Sequence, residues 1–143
     1  MHKLIMLLSA SLLWAAVPAL ADNAERFDGY TVHYNAFNAN MLDPRVAQTY
    51  QLRRGCNDGV LTIALRRDDG SAVAANVRVT IVTLVGQHST IAMQEVRDAK
   101  SIYYVGGFTI PAEAEPLKFV VRLRAEGAAG EQRFEFSRQM FRC

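Results

Sequence analysis

Regular alternation of apolar and polar residues is the feature of this chain that most limits its fold. It is clearest over residues 117–124 and 133–140, where nearly every second side chain is apolar and most of the others are charged or polar. Because successive side chains of a β-strand point to opposite faces, the pattern predicts strands with one face in a core. The sequence therefore predicts an all-β protein.

The same pattern recurs along the chain, and turn residues separate one occurrence from the next. It runs through residues 30–35, 60–67 and 77–84, and two further strands are predicted at residues 89–96 and 102–110, which contain β-branched and aromatic residues. Only one helix is indicated, where Asp43 can cap a short helix that begins at Pro44. Together these elements predict an immunoglobulin-like antiparallel β-sandwich of about seven strands with one short helical insert; a small β-barrel is the alternative. The expected core is Leu61, Ile63, Val79, Ile81, Phe119, Val121, Phe134 and Phe136.

The N-terminal residues have the organisation of a secretory signal peptide. Lys3 precedes an apolar run over residues 4–17, Pro18 ends it, and residues 19–21 read Ala-Leu-Ala, the cleavage pattern of signal peptidase. We therefore expect residues 1–21 to be removed by Sec-dependent export. A single domain, residues 22–143, would then lie soluble in a Gram-negative periplasm with no transmembrane segment. The alternative is an uncleaved anchor, although the run is shorter than the roughly 20 residues of a spanning helix.

The charge of the chain is close to balanced, which limits the classes of partner. Sixteen Lys and Arg residues oppose fourteen Asp and Glu residues, and Lys3 belongs to the predicted signal peptide. Domains that bind nucleic acid usually carry a clear basic excess. No nucleic-acid partner is therefore expected.

Two cysteines, Cys56 and Cys143, lie in the predicted mature domain and are not part of a Cys-x-x-Cys motif. In an oxidising compartment they predict a disulfide. If each strand runs opposite to the preceding one, both cysteines fall at one end of the sandwich. Residues 35–59, 86–88 and 111–116 fall there too, and we call this the long-loop end. The alternative is that Cys143 stays free or pairs between molecules.

No catalytic or metal-binding pattern is visible in the sequence. His33 and His88 are the only histidines of the predicted mature domain, and there is no His-x-His, Met-rich run or Gly-x-Ser-x-Gly motif. Copper sites and serine hydrolases commonly contain such patterns. We therefore expect no metal, no cofactor, no catalytic residues and a protein that is not an enzyme.

Polar and aromatic residues near the long-loop end are the candidates for binding. Asn35 and Asn38 belong to a run of three asparagines and two aromatic residues, and Gln87 lies in a turn at the same end. Strand geometry turns one of Tyr103 and Tyr104 outward, and an outward tyrosine is typical of a contact surface. We assign Tyr104 to the binding set. Asn side chains also cap turns, so a structural role is the alternative for the asparagines.

Short motifs along nearly the whole mature chain resemble one protein family. They are Tyr34-Asn35-Ala36-Phe37-Asn38, Leu42-x-Pro44-x-Val46-Ala47-x-x-Tyr50, Leu84-Val85-Gly86-Gln87 and Ile102-Tyr103-Tyr104. Together they resemble a family of small secreted proteobacterial proteins catalogued only as a domain of unknown function. The resemblance implies a periplasmic, single-domain β protein and supplies no activity, cofactor or catalytic residue. It also implies that cysteines at positions 56 and 143 are not general in the family, so that a disulfide here is a local reinforcement.

Two functions are compatible with these observations. The first is a non-enzymatic periplasmic module that binds a protein or a small ligand at the long-loop end. The second is a periplasmic enzyme or metal-handling protein that uses His33 or His88 with Asn35 and Tyr104. An enzyme needs a histidine that shares a concave pocket with other polar groups, whereas a binding face can be open.

Overall fold

The computed structural model describes residues 23–112 and 116–143. The predicted signal peptide lies outside the described residues, as does the middle of the predicted loop at 111–116. Ten strands make up most of the described chain: β1 (Ala24–Phe27), β2 (Tyr30–Asn38), β3 (Asp58–Arg67), β4 (Ala72–Val73), β5 (Ala75–Val82), β6 (His88–Ile91), β7 (Gln94–Asp98), β8 (Ser101–Thr109), β9 (Leu117–Ala125) and β10 (Gln132–Arg138). A 3-10 turn (Ala39–Met41) and the helix α1 (Pro44–Thr49) lie between β2 and β3.

The predicted helical insert is confirmed as α1. Asp43 caps it, because the Asp43 Oδ1 atom accepts a hydrogen bond from the amide of Arg45 at 2.8 Å. Pro44 occupies the first turn, where a missing N–H costs nothing. No helix in the described part of the chain is long and apolar enough to cross a membrane.

The strands form two antiparallel sheets. The first has the order β1-β2-β3-β8-β7, with β4 paired to β3, and the second has the order β10-β9-β5-β6. Among the described residues neither sheet closes on itself, and both contribute side chains to one core. This confirms the sandwich rather than the barrel. The strands β2, β3, β8 and β7 correspond to A, B, E and D of an immunoglobulin sandwich, and β10, β9 and β5 correspond to G, F and C.

The segment predicted as one strand over residues 89–96 crosses from one sheet to the other. β6 pairs with β5 in the second sheet, and β7 pairs with β8 in the first. Gly106 makes room for the crossing, because a Cβ atom there would lie 2.9 Å from the carbonyl oxygen of Ala92 and 2.6 Å from the sulfur of Met93. The other six predicted strands correspond to β2, β3, β5, β8, β9 and β10, while β1 and β4 are additional.

The core between the sheets is built from the alternating apolar positions. All of the predicted core residues are buried except Phe136, which is half-buried. The Phe136 ring stacks on Phe119 with 4.8 Å between centroids and on Tyr34 with 4.3 Å. Phe119 is fully buried and also meets Phe108 edge-on at 5.4 Å. Aromatic pairs of this kind add about 0.5–1.5 kcal/mol beyond the burial of their area.

The long segment at residues 39–57 packs over the outer face of the first sheet. Its Arg54 side chain holds it closed, since Nε donates to the carbonyl of Leu42 at 2.8 Å and Nη2 to that of Asn40 at 3.2 Å. The second, smaller core under this segment contains Ala39, Val60, Val96 and Val105, with Phe37, Leu42, Tyr50, Leu52 and Tyr103 packed against them. The buried side of the segment is therefore structural, whereas its other side is exposed to solvent.

Candidate functional site

The long-loop end is tied together by its C-terminal residues. Cys56 and Cys143 form a disulfide with their Cα atoms 5.7 Å apart. Beside it, the amide of Cys143 donates to Asn57 Oδ1 at 3.2 Å, and the Asn38 side-chain amide donates to the carbonyl of Phe141 at 2.6 Å. These contacts confirm that both cysteines lie at one end of the sandwich. They also hold the end of β2 and the start of β3 in fixed positions.

Large apolar side chains are exposed at the same end. The four large hydrophobic residues that are strongly exposed among the described residues are Met41, Leu84, Val85 and Phe141, with 68–76% of their surface accessible. They follow β2, β5 and β10, and all three strands end at the long-loop end. Exposed apolar side chains collected at one end of a domain are typical of an interaction surface.

A cleft of about 500 Å³ opens at the corner of the sandwich beside the long-loop end. It is lined on one side by Ser89 and Thr90 of β6 and on the other by residues 107–109 of β8. The end of the long segment, residues 51–53, also lines it. The corner is open because the chain leaves the second sheet after β6 and joins the first only at β7.

The end of β8 has an unpaired backbone edge in this cleft. β7 pairs only with residues 101–105 of β8, whereas β3 pairs with β8 as far as Thr109. The amide of Ile110 donates to the carbonyl of Asn57 at 2.8 Å, and backbone bonds alternate between the two sides of an antiparallel strand. The backbone groups of Gly107 and Thr109 therefore point away from β3 and toward the cleft. No described strand pairs with them there.

The floor of the cleft combines an aromatic ring with a fixed carboxylate. Phe108 lies over Gly59, where a Cβ atom would come within 2.3 Å of the ring, so glycine is needed for this packing. Asp58 is buried; its Oδ2 atom accepts from the amide of Gly55 at 3.0 Å and lies 3.5 Å from Nε of Arg53. Apolar surface with a few fixed polar groups is the usual lining of a ligand cleft.

A protein-family model matches nearly all of the described chain. The family is described as Domain of unknown function (DUF4426), and the match covers residues 24–142. The chain belongs to the DUF4426 family. A crystal structure of a DUF4426 family protein from Pseudomonas aeruginosa PAO1 is similar to it, with 30% sequence identity and a TM-score of 0.75, over 84% of this chain and 94% of that chain. No curated protein matches the chain.

The family resemblance read from the short motifs is thus confirmed, but the structure disperses the predicted binding residues of this DUF4426 domain. Asn35 is exposed on the outer face of the first sheet, opposite Thr62. Asn38 lies at the long-loop end and holds the C-terminal segment. Gln87 is exposed in the turn between β5 and β6, where its backbone N–H donates to Thr83 Oγ1 at 3.1 Å. None of the three lines the cleft.

Tyr104 is buried, so its selection as an outward contact residue is wrong. It is 4% exposed; its hydroxyl accepts from the amide of Ala75 at 2.7 Å and donates to Glu95 Oε1 at 3.1 Å. Burial raises the pKa of Tyr104, and hydrogen bonds from Arg97 and then Tyr104 lower the pKa of Glu95. The neighbouring Tyr103 is half-buried under the long segment. Tyr104 therefore joins the two sheets.

The two histidines of the described chain lie apart. His33 is exposed on β2 in the first sheet, opposite Ala64, and His88 is exposed at the start of β6 in the second. Neither lines the cleft. Within residues 23–112 and 116–143, no three His, Cys, Asp or Glu side chains are grouped as metal ligands would be.

The residues that form the cleft are not among the binding candidates that the sequence indicates. Gly107, Phe108 and Thr109 belong to a predicted strand, and Arg53 and Asp58 belong to residues 35–59, which the sequence places at the long-loop end. One signal was present, because two successive glycines at 106 and 107 inside a strand pattern indicate a close approach or an interruption of pairing. The location of the cleft itself depends on which strands pair.

Proposed function

We propose that this DUF4426 domain is a non-enzymatic periplasmic binding module that holds an extended segment of a partner protein at the long-loop end. The observation that carries the proposal is the unpaired edge of β8 at Gly107 and Thr109. A peptide backbone is the natural occupant of such an edge, because its own N–H and C=O groups match the alternating donors and acceptors. The partner segment would continue the first sheet beyond the point where β7 leaves it.

The surroundings of the edge support an extended peptide. Alternate side chains of an added strand would point to opposite faces of the first sheet, so that one set meets Phe108 inside the cleft. The opposite side meets Leu52 and Arg53 of the long segment. The disulfide and the bond from Asn38 to the C-terminal segment hold this end rigid, which lowers the entropic cost of binding. The exposed apolar side chains nearby offer further contact area.

Export to the periplasm is part of the proposal. It is supported by the organisation of residues 1–21 and by the Cys56–Cys143 disulfide, which is typical of oxidising compartments. Intact-mass analysis of the protein exported from a Gram-negative host should give a chain that begins at Asp22. A mass that includes residues 4–21 would instead indicate a retained anchor.

Site-specific photocrosslinking in periplasm tests the peptide-binding role. A benzoylphenylalanine at Ser89, inside the cleft, should form a covalent adduct with a partner protein, and one at Ser137 on β10 should not. Thr109→Pro removes the N–H that points into the cleft and should abolish the adduct, because proline is tolerated where the N–H faces away from the sheet. Thr109→Val keeps the N–H and is the matched control.

Two results would contradict the proposal. Adducts that form equally from both positions would indicate nonspecific contact. Adducts that survive Thr109→Pro in a protein with an unchanged melting temperature would show that the β8 edge is not the binding element. The competing role, an enzyme or metal-handling protein that uses His33 or His88, predicts instead that His88→Ala abolishes enzymatic or metal-binding activity and leaves the adducts intact.

A further inference from the structure

Three arginines lie directly opposite one another on the outer face of the second sheet. Arg122 on β9 is in register with Arg78 on β5 and with Arg133 on β10. Neighbouring strands are about 4.8 Å apart, so three positive side chains form a row across the sheet. Like charges in directly opposite positions destabilise a sheet. Stability of the fold therefore does not account for the row.

Nearby carboxylates neutralise the two ends of the row but not its centre. Arg78 Nη2 lies 2.6 Å from Glu131 Oε2, and Arg133 forms an ion pair with Glu135. The Arg122 side chain forms no ion pair or hydrogen bond with the residues that the structure describes. The central guanidinium is exposed, so all its donors are available to an outside anion.

Further basic side chains extend the positive surface. Arg124 and Lys118 point to the same side of β9 as Arg122, because residues of a strand that are two or four apart share a face. Lys118 has one carboxylate partner, Glu135, at 3.9 Å. We call this surface the arginine face; it consists of Arg78, Lys118, Arg122, Arg124 and Arg133.

The composition of the arginine face favours an anionic lipid surface over a protein. Protein interfaces have an apolar centre from which charged residues are depleted. The centre of this face is Arg122, and the strongly exposed large hydrophobic side chains of the described chain lie at the long-loop end instead. A lipid headgroup layer needs no apolar centre, because each basic residue near its surface contributes through charge.

We infer that the arginine face docks on an anionic membrane surface, with guanidinium groups bound to lipid phosphates. Arginine suits this role because its planar fork of donors matches a phosphate group. The inference goes beyond the peptide-binding role and does not rest on it. Docking by the broad face of the second sheet leaves the long-loop end and its cleft free for a partner.

Vesicle co-sedimentation of the exported protein at low salt tests the inference. We expect binding to vesicles of equal parts phosphatidylcholine and phosphatidylglycerol, little binding to phosphatidylcholine alone, and release by added salt. Arg122→Gln should weaken binding about fivefold, as expected for one basic residue at a headgroup surface. It should also raise the melting temperature, because it removes two like-charge neighbours. A structural arginine would do the reverse.

Arg45→Gln is the matched control. Arg45 is strongly exposed on α1, over the opposite sheet, and its loss changes the net charge equally. It should weaken vesicle binding by less than twofold.

Each other outcome overturns the inference. No preference for phosphatidylglycerol, or equal effects of the two substitutions, would mean that no docking face exists. Binding of poly-glutamate without vesicle binding would indicate an acidic protein partner. Saturation by inorganic phosphate alone would indicate a site for a small anion, and a lower melting temperature for Arg122→Gln would show that Arg122 serves the fold.

Discussion

Replacing Tyr104 by Phe should destabilise the domain although the substitution leaves the ring in place. Only the hydroxyl is lost, and this group accepts a hydrogen bond from the amide of Ala75 and donates one to Glu95. The Ala75 N–H would then lie in a partly buried place without an acceptor. Leaving such a donor unsatisfied costs about 1–3 kcal/mol of the free energy of unfolding.

Tyr30→Phe is the matched control for that substitution. Tyr30 is also buried, but its hydroxyl has no hydrogen-bond partner among the described residues. Removing the hydroxyl takes away a polar group that is already unsatisfied. The free energy of unfolding should therefore stay unchanged or rise by up to about 1 kcal/mol.

Thermal unfolding of the exported, disulfide-bonded protein, followed by circular dichroism, measures both substitutions. In a domain of this size about 1 kcal/mol corresponds to about 4 °C in melting temperature. Tyr104→Phe should therefore melt about 4–12 °C below the unsubstituted protein, and Tyr30→Phe should not. Equal melting temperatures for the two variants would refute the reasoning that the Tyr104 hydroxyl bridges the sheets. If Tyr104→Phe weakened partner crosslinking and left stability unchanged, Tyr104 would be a binding residue after all.

Three further measurements probe the core, the disulfide and the buried tyrosines. Phe119→Ala should lower the free energy of unfolding by about 3–5 kcal/mol in urea titrations, since the ring is fully buried between two aromatic neighbours; a loss below about 1 kcal/mol would contradict that packing. Cys143→Ser opens a loop that spans 87 positions and should lower the free energy of unfolding by up to about 4–5 kcal/mol. Free thiols or a covalent dimer in non-reducing mass spectrometry of the unsubstituted protein would contradict the bond to Cys56. Burial raises the pKa of Tyr30 and Tyr104, so both phenols stay neutral in the folded protein at pH values where they ionise in the unfolded chain, and the free energy of unfolding should fall as the pH rises from about 10 through the raised values. Phenolate absorbance that develops at the ordinary pKa in the folded protein would argue against this.

The fold class could be predicted because alternation is a local property of the chain. Phe119 and Phe134 are buried where the period of two placed them, and the direction of successive strands correctly brought Cys56 and Cys143 together. The helix cap at Asp43 depends only on its immediate neighbours and could therefore also be predicted from the sequence. In each case the information lies within a few residues, or in the simple rule that consecutive strands run in opposite directions.

The site could not be predicted in the same way, because it depends on pairing between residues that are distant in sequence. Alternation over residues 89–96 is interrupted only at Gln94 and Glu95, and this local break does not show that the chain changes sheet there. The change of sheet leaves the edge at Gly107 and Thr109 open. The wrong prediction that Tyr104 faces outward has the same cause, because the register of β8 decides which of Tyr103 and Tyr104 enters the core. Since a shift of one residue in register exchanges the two faces of a strand, a local pattern with two adjacent tyrosines cannot say which one enters the core.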